Sequence, residues 1–196
     1  MMAQRSPAAT FKEPNRVLAA FQAFTYRMIA RTYYQPYIES LGLRGDERVL
    51  EYGSGPGTAS KLLAQALPNG HLTCVDISTV WMGSYMKKIA AGYPNIDLMQ
   101  GDIADLDIPA ESYDAIFIHY VIHDVPAGIQ REKMGIILGK LKKGGKCYIR
   151  EPISPMHGIA PEKVRAIMRE NGLREISSAM GKSPQKSPTF QGVYAK

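Results

Sequence analysis

Between Asn15 and Leu41 the apolar residues Val17, Leu18, Phe21, Phe24, Met28 and Ile29 recur at helical spacing. Pro36 lacks an amide proton and clashes with the preceding turn, so this stretch is expected to form two helices. From Glu47 onward the pattern changes to short apolar runs alternating with helical ones. ERVLEY (47–52) reads as a strand, 57–66 as a helix closed by Pro68-Asn69-Gly70, and HLTCVDI (71–77) as a second strand. A helix over 80–91 precedes a third strand, NIDLMQ (95–100). YDAIFIHY (113–120) is apolar almost throughout, as a central strand covered on both faces requires. A helix over 127–142 leads through Gly144-Gly145 into the strand KCYIRE. The last helix, 161–171, opens on Pro161 and Glu162, which suit a first turn. Strands at about 174–179 and 189–195, joined by a loop containing SPQKSP, end the pattern.

Strands alternating with helices predict an α/β fold with a doubly wound, mainly parallel sheet between helical layers. The last two strands have no helix between them, so one of them must run antiparallel. A length of 196 residues suits one domain.

Hydrophobic residues make up 45% of the chain and charged residues 21%, which is ordinary for a globular protein. No apolar run approaches the roughly 18 residues of a membrane span, and MMAQRSPAATFKEPNR lacks the apolar centre of a signal peptide. Cys74 and Cys147 fall inside expected strands, as buried free thiols would. A cytoplasmic location is expected. The four histidines show no metal-ligand spacing, so no metal is expected. The net charge of +6 divides into +3 over 1–48, −5 over 49–139 and +8 over 140–196. The basic last third would attract an acidic acceptor, nucleic acid or an anionic membrane surface. No arginine-rich cluster with interleaved aromatics strengthens the nucleic-acid reading, which nonetheless stays open.

The candidate chemistry begins just past the first strand, in Glu51-Tyr52-Gly53-Ser54-Gly55-Pro56-Gly57, with a helix following at once. Glycines permit a sharp turn and close approach of a ligand to the backbone, and the helix start adds unpaired amide donors. A dinucleotide fingerprint would place glycine or alanine at position 58, where this chain has Thr58. Asp76 ends the second strand, where a carboxylate can accept ribose hydroxyls, and Asp102 follows the third.

This set of Glu51, Gly53, Ser54, Gly55, Gly57, Asp76 and Asp102 resembles the class I S-adenosylmethionine-dependent methyltransferases, specifically the type 11-like small-molecule enzymes. The resemblance covers roughly 45–196. It implies a Rossmann-like, seven-stranded α/β/α sandwich, mainly parallel with an antiparallel last strand. It also implies S-adenosylmethionine as cofactor, S-adenosylhomocysteine as product and no metal. Glu51 would lie beneath the methionine ammonium or the glycine loop, Asp76 on the ribose and Asp102 on the adenine amine. Ile77 and Ile103 would sandwich the adenine, with Tyr120 near the methionine end. The domain organisation becomes a flexible tail at 1–14, a helical lid at 15–44 carrying Tyr26, Tyr33, Tyr34 and Tyr37, and a cofactor-binding domain at 45–196.

On the acceptor side, His119-Tyr120-Val121-Ile122-His123-Asp124-Val125 resembles the I-x-H-D-W stretch of caffeate-type O-methyltransferases, with Val125 in place of tryptophan. The segment from Gly145 to Glu151 resembles the G-K-x-x-x-x-E segment of the same enzymes. The resemblance implies His123 as the base that deprotonates an acceptor hydroxyl, flanked by Glu151. A neutral imidazole suits that task near neutral pH. His119, within an apolar strand, is expected as a core histidine with its nitrogens satisfied, near the acceptor or lid. The leading expectation is methyl transfer to a small molecule, with oxygen the favoured nucleophile and a homodimer left open. Transfer to RNA or protein, a non-catalytic cofactor-binding subunit, and a nicotinamide-dependent dehydrogenase are the alternatives.

Overall fold

The computed structural model describes residues 11–196, so most of the expected tail at 1–14 lies outside the described residues. Helix α1 (Arg16–Met28) is capped by Asn15, whose side chain accepts from the Val17 amide at 2.8 Å. A π-helical turn at Ala30–Tyr34 joins it to α2 (Gln35–Ser40). Pro36 sits in the first turn of α2, where its missing donor costs nothing, so the break falls just before it.

The strands are β1 (Arg48–Tyr52), β2 (His71–Asp76), β3 (Ile96–Gln100), β4 (Tyr113–His119), β5 (Leu141–Pro152), β6 (Arg174–Lys182) and β7 (Pro188–Ala195). The helices between them are α3 (Thr58–Ala66), α4 (Lys87–Ala90), α5 (Gln130–Leu138) and α6 (Pro161–Glu170). The sheet order is β3-β2-β1-β4-β5-β7-β6. β7 runs antiparallel to both β5 and β6, and the other pairings are parallel. This is the expected seven-stranded doubly wound sheet. Helix α5 is shorter than the sequence suggested, because β5 already begins at Leu141.

Alternation along the central strands divides the core into two layers. Leu50, Ile116, Ile118 and Ile149 pack with Met134, Ile137, Val164 and Ile167 of α5 and α6. Val49, Ala115, Phe117 and Tyr148 face Tyr37, Ile38, Leu63 and Met86 on the other side. The strand order reverses at β1, between β2 and β4. The resulting crevice at the strands' C-terminal ends is where ligands bind in open α/β sheets.

Candidate cofactor and acceptor site

The chain leaves β1 through three residues with positive φ, Gly53 (+77°), Gly55 (+52°) and Gly57 (+80°). A Cβ on Gly53 would lie 2.4 Å from Val121 Cγ2, so the side chain is excluded by the loop after β4. A Cβ on Gly55 would meet nothing within 4 Å, because Gly55 borders open space. Gly57 caps α3 from the left-handed region. The first residues of α3, Thr58 and Ala59, line the cavity beyond.

Three acids surround the loop. Glu51 is 2% exposed and accepts from the Cys74 thiol at 3.2 Å. Burial pushes its carboxyl up to about 7, against the opposing pull of the Ser60 and Cys74 donors, and nearby Asp76 adds to the rise. Among the described residues no cation pairs with Glu51. Asp76 accepts from the Gly55 amide at 2.7 Å through Oδ2 and from the Ser78 amide at 2.9 Å through Oδ1. Its carboxyl also lies above the usual range, chiefly through burial. Asp102 Oδ1 accepts from the Ala104 amide at 2.9 Å and pairs with the buried Lys133 ammonium.

Two cavities meet over the loop, one of about 260 Å³ and one of about 210 Å³. Each alone is below the roughly 300–1,000 Å³ of small-ligand pockets, but they share Gly53, Gly55, Trp81, Tyr120 and Asp124 as walls and together reach that range. The first gathers Asp76, Ile77 and Asp102 with Lys133 and the apolar Trp81, Val125 and Ile129. The second gathers Glu51, Ser54, Tyr26, Tyr34 and His119.

Not every expected residue arrives. Ile103 is buried in the core and lines neither cavity, because its side chain faces the layer under α5 rather than the ligand space. Tyr37 is likewise core, lying under Arg150 with the guanidinium carbon 3.5 Å from its ring centre. Tyr33 reaches the site indirectly, by a hydroxyl–hydroxyl bond to Tyr120. His119 lines the second cavity, among Tyr34, Tyr37 and Phe117, yet its Nε2 has no partner among the described residues. It is therefore not the satisfied core histidine expected. Burial, with Arg150 adding to it, pushes the imidazole down to about 3, so the ring is neutral.

His123 and Glu151 do meet, with Nδ1 to Oε2 at 2.6 Å. Burial lowers the His123 pKa, but the Glu151 hydrogen bond and charge outweigh it and set the group above its ordinary value. Glu151 is fully buried and also accepts from the Val121 and Ile122 amides at 3.0 and 2.8 Å. The His123 side chain is 4% exposed and stands outside both cavity walls, with Nε2 3.5 Å from Asp124. His123, Asp124 and His157 bring donor atoms within 4.8 Å of one another, a grouping that imidazole–carboxylate attraction alone accounts for.

Sequence reasoning missed Trp81, Lys133, Gln22 and Phe11. Phe11 lines the first cavity, and the neighbouring Glu13 accepts from Ser78 and from Thr79 at 2.6–2.9 Å. Those contacts hold residues 11 and 13 of the expected tail against the domain. The one tryptophan directly after β2 was a usable signal. Lys133 had none, since it reaches Asp102 only through packing of α5.

Comparison with known proteins shows what this arrangement is similar to. Residues 49–145 match the family model described as a methyltransferase domain. Over that stretch the chain is similar to methyltransferases, and its seven-stranded sheet has the fold of the class I enzymes. A protein-L-isoaspartate O-methyltransferase of Myxococcus xanthus is 31% identical over 65% of this chain and 58% of its own length. A ubiquinone/menaquinone biosynthesis C-methyltransferase of Syntrophotalea carbinolica is 27% identical over 65% of this chain and 54% of its own. The chain thus spans somewhat over half the length of these relatives. A solved S-adenosylmethionine-dependent methyltransferase from Aquifex aeolicus superposes with a TM-score of 0.72 at 15% identity, covering 92% of this chain and 99% of that one.

The residues of this site suit S-adenosylmethionine, the cofactor named for that solved enzyme. Glu51 is a buried carboxylate with no cation beside it among the described residues, and it lines the space where an ammonium would be received. Beside it the α3 N-terminus offers amide donors to a carboxylate. Asp76 keeps a lone pair on each oxygen for hydroxyl donors, and among the described residues Asp102 Oδ2 has no partner. Ile77, Trp81, Val125 and Ile129 supply apolar walls for a flat base.

Proposed function

We propose that this methyltransferase binds S-adenosylmethionine across the two joined cavities and methylates a small-molecule acceptor at oxygen. The observation that carries the reading is the pair of buried carboxylates, Glu51 and Asp76, which pair with no cation among the described residues and flank one open glycine loop. When bound, the cofactor supplies an electrophilic methyl group on a sulfonium.

The residues divide the work. Asp76 receives the ribose hydroxyls, Asp102 the adenine amine, and Ile77 packs on the base. Glu51 receives the methionine ammonium and the start of α3 its carboxylate, with Gly53, Ser54, Gly55 and Gly57 shaping the floor. Tyr120 stands at the junction of the cavities, fixed by Tyr33 and by its own amide bond to Arg150 O at 2.9 Å. Tyr26 and Tyr34 wall the acceptor space, and His119 Nε2 offers it a free hydrogen-bond acceptor. A neutral imidazole with so low a pKa would leave the hydroxyl un-ionised beforehand and take up its proton once the methylated oxygen becomes strongly acidic. Further acceleration would come from these walls holding the acceptor hydroxyl beside the bound cofactor.

His123 and Glu151 take a positioning role in this reading. Together they clamp the turn after β4, whose Tyr120, Val121 and Asp124 line the cavities. An acceptor-panel assay tests both levels, using hydroxylated small molecules, bulk transfer RNA and a protein extract, and following S-adenosylhomocysteine release. Turnover on a hydroxylated small molecule is expected. Turnover on RNA or protein alone, or binding without any turnover, would contradict the proposal. His123→Ala should lower the rate while leaving the shape of the pH–rate profile intact. Loss of an acid limb in that variant would instead make His123 the base.

A further inference from the structure

Helix α1 is oriented opposite to the usual amphipathic arrangement. Its apolar stripe, Val17, Phe21, Phe24 and Met28 with Leu18 beside it, is 53–79% exposed. The inward face presents Ala19, Gln22, Ala23 and Tyr26, small or polar residues, and Gln22 and Tyr26 line the second cavity. A helix normally hides such a stripe against the core, and five adjacent large apolar side chains left in water mark an interaction surface.

Charge selects the occupant. Arg16 and Arg27 stand eleven positions apart, about three turns, so both fall on one flank of the stripe. Lys12 and Arg31 are exposed at its two ends. No acid lies within α1, and the Glu13 carboxylate is occupied by Ser78 and Thr79. Two such helices paired antiparallel about a two-fold axis would set the arginines of one copy against those of the other. An anionic lipid surface suits both parts, taking the stripe among its acyl chains while long arginine side chains reach headgroup phosphates.

We propose that α1 beds into the surface of an anionic bilayer, apolar stripe down. The helix's other face roofs the acceptor cavity, so docking places that cavity at the lipid boundary and favours an acceptor of lipophilic character. The docking step is independent of methyl transfer, and it is tested without the acceptor.

Flotation of the 196-residue chain with vesicles is the experiment, using phosphatidylcholine alone or with one-third phosphatidylglycerol. Partition onto the anionic vesicles is expected to exceed that onto neutral ones by about tenfold and to fall with added salt. Phe21→Ser/Phe24→Ser, and separately Arg16→Glu/Arg27→Glu, should each reduce it by on the order of tenfold, with cooperative thermal unfolding preserved. Protein that stays in solution with both vesicle types overturns the proposal. So does a dimer that ignores vesicles and is dispersed by the phenylalanine changes, which would assign the stripe to a second copy.

Discussion

Glu51 shows how one buried side chain couples the fold to the ligand. It sits at the end of a central strand because the sheet's crevice opens there, yet burial holds its carboxyl near 7. The sign of the consequence follows from linkage. A carboxyl with a raised folded pKa binds its proton more tightly when folded, so stability falls as pH rises from about 4.5 through about 7. Glu51→Gln should therefore stabilise the ligand-free protein by up to roughly 3 kcal/mol at pH 8 and change it little at pH 4. Urea unfolding at the two pH values checks this, and equal effects at both would remove the charge from the explanation. Glu51 and the glycines were legible in the sequence because few residue types can fill such positions. His119 was misjudged because a strand pattern gives a residue's face but not whether a partner waits there.

At the scale of elements, the turn after β4 is held by neighbours far away in sequence. Glu151 on β5 gathers two backbone amides and an imidazole, and Gln130 on α5 donates to Ile122 O and Val125 O at 2.9 and 2.8 Å. Removing a buried acceptor strands every donor it served. Glu151→Ala should cost roughly 3 kcal/mol, with the Val121 and Ile122 amides losing hydrogen-exchange protection. Unchanged protection would show that the turn is held by something other than this carboxylate. The alternation of elements was readable throughout, since hydrophobic period follows directly from burial on one face or two. The period of α1 was readable too, but periodicity does not say which face looks inward. Here the apolar face looks out, and only packing reveals it.

Across the whole molecule, one basic cluster and the candidate site lie at opposite ends of the sheet. Lys142, Lys143 and Lys146 collect with Arg44 around the start of β5, where Lys146 pairs with Ala115 early in β4. The cofactor cavities open at the other end, beyond His119. Arg150 pairs with His119 at that end, and Lys182 and Lys186 sit in the β6–β7 turn beside the last residues of β5, so the basic last third reaches both ends of the sheet. Among the described residues no helix is long and apolar enough to cross a membrane. The cavities themselves were only half legible. Their acids and glycines follow the strand order, whereas Trp81, Lys133 and Phe11 arrive through packing between distant segments.

The most direct measurement is calorimetry of the purified protein against S-adenosylhomocysteine and NAD, repeated with Asp76→Ala. Saturable binding of S-adenosylhomocysteine alone is expected, weakened by about tenfold to a hundredfold once the ribose carboxylate is gone. No binding heat from S-adenosylhomocysteine at millimolar concentration, preference for NAD, or an Asp76→Ala protein that binds as before would contradict it.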